Sequence, residues 1–365
     1  LVAAKTASNR SAAVEMSVMM TISLRYGRIF FGALAMISIA GLILAPAANA
    51  HGVGGVQPSN YETVIKPITP RLPGVSVSAV DLGAKLELTN SSKKSVTVLG
   101  YESEPYLRVG PNGVFRNRLS PATYINRTRT ARGAVPQYAD ATAPPKWIRI
   151  NSGNSVLWHD HRAHWMGIQD PAAVRSDPDT EHTVQSVRIE LSRGDQTYLV
   201  RGTVRWVPGP AIGPWLLFAV VLAVGLALLS RTRIAAAVVM SALGLAAFGE
   251  VVHVLGAWNA TTATFTAKLG ASIYGLGGIA ITLVALIWVA RRGVTAAAPI
   301  VMMAGVFLLL AGGLADITVL SRSQIPSAFA PAVARLTVAL AIGLGGGLGL
   351  AGALRLGTSA KRGEK

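Results

Sequence analysis

The sequence predicts an extracytoplasmic β-sandwich, immunoglobulin-like or cupredoxin-like, followed by a bundle of about five transmembrane helices. Three observations predict it. Hydrophobic residues make up 51% of the chain and charged residues only 14%, too apolar for an ordinary soluble protein. The apolar residues concentrate at 29–50 and again from 213 onward, as membrane segments do. The stretch between them is polar and alternates in short runs, the pattern of antiparallel strands with one wet face.

The first apolar run reads as a leader. Residues 1–18 carry no usable pattern and are expected to be an upstream reading of the start site or unstructured, with Met19 or Met20 as the start. Arg25 and Arg28 form a positive region, Ile29 to Leu44 an apolar one, and Pro46 breaks the helix before Ala48-Asn49-Ala50, an A-x-A cleavage site. Residues 19–50 are therefore expected to be a signal peptide cleaved after Ala50. The alternative is an uncleaved anchor, but the apolar run of about 16 residues is short of the roughly 20 a span needs.

Residues 51–210 are expected to be the β domain. Val75–Val80, Lys85–Thr89 and Ser95–Leu99 alternate, with Asn90 to Lys94 as a turn. Gly110-Pro111-Asn112-Gly113 is a second turn between Tyr106–Val109 and Val114-Phe115. Residues 116–146 read as a long ordered loop. Strands return at Trp147–Ile150, Ser155–His161, Val184–Leu191 and Thr197–Val207.

Residues 211–356 are expected to be the membrane domain, with helices near 213–230, 234–255, 269–290, 297–320 and 331–355. Arg231, Arg233, Arg291, Arg292, Arg355, Lys361, Arg362 and Lys365 fall on one side if the β domain is outside. This predicts a multi-pass protein of the cytoplasmic membrane, with residues 357–365 as a basic cytoplasmic tail. Much of the net charge of +17 has this topological explanation, and no nucleic-acid motif accompanies it. The last helix carries Gly343, Gly345, Gly346, Gly347, Gly349 and Gly352, a close-packing signal either within the bundle or toward a membrane-protein partner.

The chain has no cysteine, which excludes disulfides, iron–sulfur clusters and thiolate metal sites, blue-copper centres included. A metal site would rely on histidine. Three of the six histidines lie in Trp158-His159-Asp160-His161-Arg162-Ala163-His164-Trp165. On a continuous strand His159 and His161 share a face and Asp160 takes the other. His164 joins them as a third or alternative imidazole only if the chain turns or bulges after His161. Cleavage after Ala50 makes His51 the first residue, offering an imidazole and a free α-amine. With His159 and His161 that makes four nitrogens, a set suited to Cu(II), with zinc as the competitor.

An N-terminal His51-Gly52 with Trp158-His159-Asp160-His161 farther along resembles the copper-binding subunit of particulate methane and ammonia monooxygenases. The resemblance implies a cupredoxin-like periplasmic domain and a copper role for His51, His159 and His161. More weakly, the N-terminal histidine resembles periplasmic copper-resistance proteins.

Within the membrane domain, Glu250 and His253 share a face of the second helix, and Asp316 lies at similar depth in the fourth. Such groups mark a proton relay or ion site, or else a hydrogen-bonded set that fixes packing, with Lys268 and Arg322 as expected charge partners. Asp160 and Arg162 read as supports of the histidines, and His182 as a surface residue. Three functions compete. The first is copper acquisition, delivery or tolerance by a protein that is not an enzyme by itself. The second is a copper subunit of a monooxygenase-like complex. The third is a metal-free envelope assembly protein.

Overall fold

The computed structural model describes residues 56–127 and 134–363. The expected leader, its cleavage site and His51 lie outside the described residues, as do residues 128–133 of the expected loop.

Among the described residues, the β domain holds ten strands: β1 (Tyr61–Ile65), β2 (Val75–Val80), β3 (Lys85–Asn90), β4 (Val96–Leu99), β5 (Pro105–Gly110), β6 (Gly113–Asn117), β7 (Trp147–Asn151), β8 (Ser155–Trp158), β9 (His182–Arg193) and β10 (Gln196–Trp206). They form two antiparallel sheets, seven strands in the order β1-β10-β9-β4-β5-β6-β7 and three in the order β2-β3-β8. The expected turn at 110–113 joins β5 to β6, with Gly110 opposite Gly113 and Gly113 at φ +109, a conformation glycine tolerates. Alternation does its expected work: Leu86 and Leu88 of the small sheet meet Val98, Leu107, Ile189 and Val200 of the large one in a single core. Each such side chain contributes about 1.5–3 kcal/mol by leaving water. Short helices interrupt the loops, among them α1 (Ala122–Ile125) and α2 (Ala172–Ser176).

The helical domain begins with α3 (Gly213–Leu229), where Pro214 sits in the first turn and its missing N–H costs nothing. Then come α4 (Ala235–Asn259), the short α5 (Phe265–Ala271), α6 (Ile273–Ala296), α7 (Ala298–Phe307) and α8 (Pro331–Gly363). Among the described residues, four helical stretches are long and apolar enough to cross a membrane: α4, α6, Ala298–Leu320 and Pro331–Gly357. The first expected span is a 17-residue apolar helix, α3. Large side chains such as Leu217, Phe248, Leu255 and Ile273 stay exposed on the bundle's outer face, the surface a bilayer would cover.

The fourth expected span is not one continuous α-helix. After α7 the backbone passes through a π-helical turn, Leu308–Gly313, and then a 3₁₀ segment, Leu314–Leu320, within which Asp316 leaves helical geometry (φ −103, ψ 16). Helix α8 is the centre of the bundle: 61% of its apolar window is buried, against 22% for α6. Its glycines account for that. Gly343 and Gly347 lie against Ala219, Ala223 and Leu226 of α3, while Gly345 and Gly352 lie against Leu309 and Met302 of the fourth stretch. The close-packing signal is thus used within the bundle.

One end of the bundle gathers arginines. Arg355 of α8 donates to the Ser230 carbonyl after α3 and, at 3.2 Å, to Thr295 Oγ1 at the end of α6. The other end carries the β domain. Asn60 Oδ1 accepts from Ser323 N at 3.0 Å, Ser323 Oγ donates to Val207 O at 2.7 Å, and Ser59 pairs with Gln324. Asp81 reaches the loop after α4, accepting from Thr262 N at 2.8 Å and Thr262 Oγ1 at 2.6 Å, with Lys85 Nζ at 2.9 Å. Burial pushes the Asp81 carboxyl up, but the Thr262 and Lys85 donors outweigh it and hold it below the ordinary aspartate value.

Candidate functional site

The expected strand over 155–161 stops at Trp158, and the reason is Asp160. Its side chain is 1% exposed and turns inward. Oδ2 accepts from Trp158 Nε1 at 3.0 Å and Arg162 Nη2 at 2.8 Å. Oδ1 accepts from Arg162 Nε at 2.8 Å and Arg162 N at 3.1 Å. The Asp160 carbonyl closes the turn by accepting from Ala163 N at 2.9 Å. Arg162 also donates to the carbonyls of Leu99 and Gly100, both at 3.2 Å, and lies over the Tyr101 ring. The chain therefore leaves the sheet in a turn braced by a buried ion pair, and strand parity does not govern His159 and His161.

Each histidine of the motif has its own setting. His159 Nδ1 lies 2.7 Å from the Ala84 carbonyl oxygen, which can only accept, so Nδ1 carries a proton, and in the neutral ring the lone pair falls on Nε2. His161 donates its backbone N–H to Tyr101 Oη at 3.1 Å, and that phenol donates to Asn126 Oδ1 at 2.5 Å. Burial, reinforced by the Asp160 charge, raises the Tyr101 phenol above its ordinary value and keeps it a neutral donor. The His161 and His164 rings meet edge to face with centroids 5.6 Å apart, and His164 is buried. The turn that His164 needs in order to join its neighbours is thus present. His182 stands apart at the start of β9, its Nε2 2.6 Å from the Asp177 carbonyl oxygen.

No family model, curated protein or solved structure matches the chain. The site's chemistry is read from its own residues. Among the described residues, no group of three or more His, Asp or Glu side chains is gathered closely enough to hold a metal ion. His159, His161 and His164 by themselves are not a complete metal centre, and the fourth expected ligand residue, His51, lies outside the described residues.

The ionisable residues of the helical domain do come together. His253 Nε2 lies 3.1 Å from Asp316 Oδ2 across the α4–3₁₀ contact. Glu250, one turn earlier on α4, is 4% exposed and shares a cavity with His253, Asp316 and Tyr274. Asp316 thus pairs with a histidine, while the expected partner Lys268 lies over the Trp258 ring. The sequence did not reveal Thr337 of α8, whose hydroxyl faces His253 Nδ1 at 3.4 Å, or the glycines around Glu250. A threonine and scattered glycines in apolar helices carry no signal until the helices are packed.

Proposed function

We propose that this is a copper-binding membrane protein that takes up Cu(II) outside the cytoplasmic membrane, for copper acquisition, delivery or tolerance. In this proposal the two sheets form a cupredoxin-like β-sandwich on a five-helix anchor, with the C-terminus inside. The ligands are the imidazole and α-amine of a mature N-terminal His51 together with His159 and His161, with His164 as a third imidazole.

The hydrogen bond from His159 Nδ1 to Ala84 O carries this proposal. Metal-binding imidazoles commonly donate their second ring N–H to a carbonyl, which fixes the tautomer and presents the other nitrogen's lone pair. The Asp160–Arg162 brace supports it further, because it holds the turn that bears His161 and His164. Copper fits the donor chemistry, nitrogen without thiolate, better than metals that prefer oxygen. Zinc is the competitor.

Electron paramagnetic resonance of the mature chain, beginning at His51 and loaded with one equivalent of Cu(II), tests the ligand set. The expected signal shows several equatorial nitrogens and weakens or changes when His159→Ala and His161→Ala are combined. A nitrogen-rich signal that survives the double substitution unchanged would sink the proposed ligands.

A further inference from the structure

The Glu250, His253 and Asp316 cluster has a proton arrangement that the hydrogen bonds themselves define. Thr337 Oγ1 donates its one proton to Ala334 O at 2.8 Å. At the 3.4 Å contact with His253, then, the imidazole is the donor and Nδ1 bears a proton. On the other side Nε2 faces Asp316 Oδ2 at 3.1 Å, and two bare lone pairs would repel at that distance. A proton therefore lies between them, on the histidine or on the carboxyl. The pair can pass that proton without moving a heavy atom far.

Glu250 is 4% exposed, and it borders a cavity shared with His253, Tyr274 and Asp316. A methyl group at Gly275 or Gly278 would lie 3.6 Å from the Glu250 side chain, and one at Gly312 would collide with it. Three small residues thus leave room for the carboxyl beside a cavity large enough for a water molecule. A carboxyl buried at this depth is costly while charged, and binding a proton removes that cost.

The surroundings set a direction. A second cavity on the other side of His253 and Asp316 is lined by Pro58, Pro326, Ser327 and Thr337, at the end of the bundle that carries the β domain. Beyond Glu250 the interior is mostly apolar: Leu243, Ala246, Ala285, Val301 and Leu308 fill it, the buried Thr282 donates its hydroxyl to the Gly278 carbonyl, and the sequence of α4, α6, α7 and α8 has no acid or base until the arginines of the far end. The groups facing Glu250 are His253 on its own helix, Tyr274 on α6 and Asp316 on the 3₁₀ segment. Helix α8 presents Thr337, while its Arg335 donates to the Arg322 carbonyl at 2.9 Å. The π and 3₁₀ turns, which often mark working sites, border the cluster.

We propose that Glu250 is a proton-binding site, loaded through the His253–Asp316 pair from the β-domain side and closed toward the opposite end. The three groups are not gathered as a metal centre, which favours the proton over a divalent cation. This inference is independent of copper binding by the β domain.

Infrared difference spectroscopy tests it on the full chain in phosphatidylcholine nanodiscs, titrated over about pH 4–9, which spans ordinary carboxyl and imidazole values. The expected result is a protonated-carboxyl C=O band that appears on acidification, vanishes in Glu250→Gln and returns displaced in Glu250→Asp. In Asp316→Asn its midpoint should move by about one pH unit, a tenfold change in proton affinity. In vesicles sorted by protease access to the β domain, the band should follow the pH on the β-domain side. A wild-type spectrum with no titrating carboxyl band overturns the proposal, as does a band indifferent to both Glu250 variants. A band that follows only the pH of the opposite side overturns the proposed direction.

Discussion

Replacing Asp160 by asparagine removes a negative charge and half of the acceptors from the centre of the histidine turn. Each carboxylate oxygen serves two donors: Trp158 Nε1 and Arg162 Nη2 on one, Arg162 Nε and N on the other. Asparagine offers one oxygen and one NH₂ group, so in either orientation two donors lose their acceptor and face a third donor. The Arg162 guanidinium also loses its counter-charge, with 20% of its side chain reaching solvent. Removing one partner of a buried pair costs roughly 3–5 kcal/mol. The partial exposure of Arg162 places this case at the low end, about 3 kcal/mol. With a urea slope of about 2 kcal/mol/M, the unfolding midpoint of the β domain should fall by about 1.5 M. Near-UV circular dichroism of the full chain in detergent reads this through the packed tryptophans. Combining Asp160→Asn with Arg162→Met removes the stranded charge and should recover at least half of the loss. A fall below about 0.5 M, or a double variant no better than the single one, refutes the buried pair as the brace.

Three further outcomes follow from the geometry. Because the folded Asp81 carboxyl lies below its ordinary value, its contribution to docking is complete above that ordinary value and is lost as pH falls through the depressed one. Spin labels at Lys94→Cys and Arg233→Cys, convenient in a cysteine-free chain, should show broadened distances under those acid conditions, and in Asp81→Asn at neutral pH. Identical neutral-pH distributions in wild type and Asp81→Asn would exclude Asp81 as a docking group. Gly345→Ala places a methyl 2.6 Å from Leu309 N and Gly352→Ala one 2.7 Å from Met302 N. Each should cost about 1–3 kcal/mol, measured as a lower melting temperature in detergent. Gly225→Ala and Gly244→Ala, with nothing within 4 Å, should leave the melting temperature nearly unchanged. Copper at about a hundred times its dissociation constant should stabilise the mature chain by about 2.7 kcal/mol, and chelation should remove the gain. An unchanged melting temperature would favour a metal-free role.

Four of the expected spans were legible because a crossing needs only a long apolar run, although two of those helices run six to eight residues past their expected ends. Most strands were legible because a half-buried sheet enforces alternation. Strand β1 was not foreseen: Tyr61-Glu62-Thr63-Val64-Ile65 is short, and its pairing to β10 is a long-range event. The break in the fourth span was invisible for a different reason. Leu308–Leu320 is apolar whichever carbonyl each N–H finds, so composition does not distinguish an α-helix from π and 3₁₀ turns. The histidine motif was half legible. Its residue types were plain, but the parity of His159 and His161 depended on a strand that Asp160 ends by taking Arg162 and Trp158 as partners.

The position of α8 bears on how the molecule is made. Helix α8, made after α3 and the α7 stretch, is the one on which both close, through close approaches at Gly343, Gly345, Gly347 and Gly352. Until it arrives, those earlier helices have each other's company but not their seat. The β domain, completed long before, must wait on a support missing its central post, and its contact with Ser323 and Gln324 depends on a loop that emerges just ahead of that post. A chain cut short before Pro331 would leave α3 and the α7 stretch without the surface they close on, and the apolar faces so exposed would invite aggregation and proteolysis.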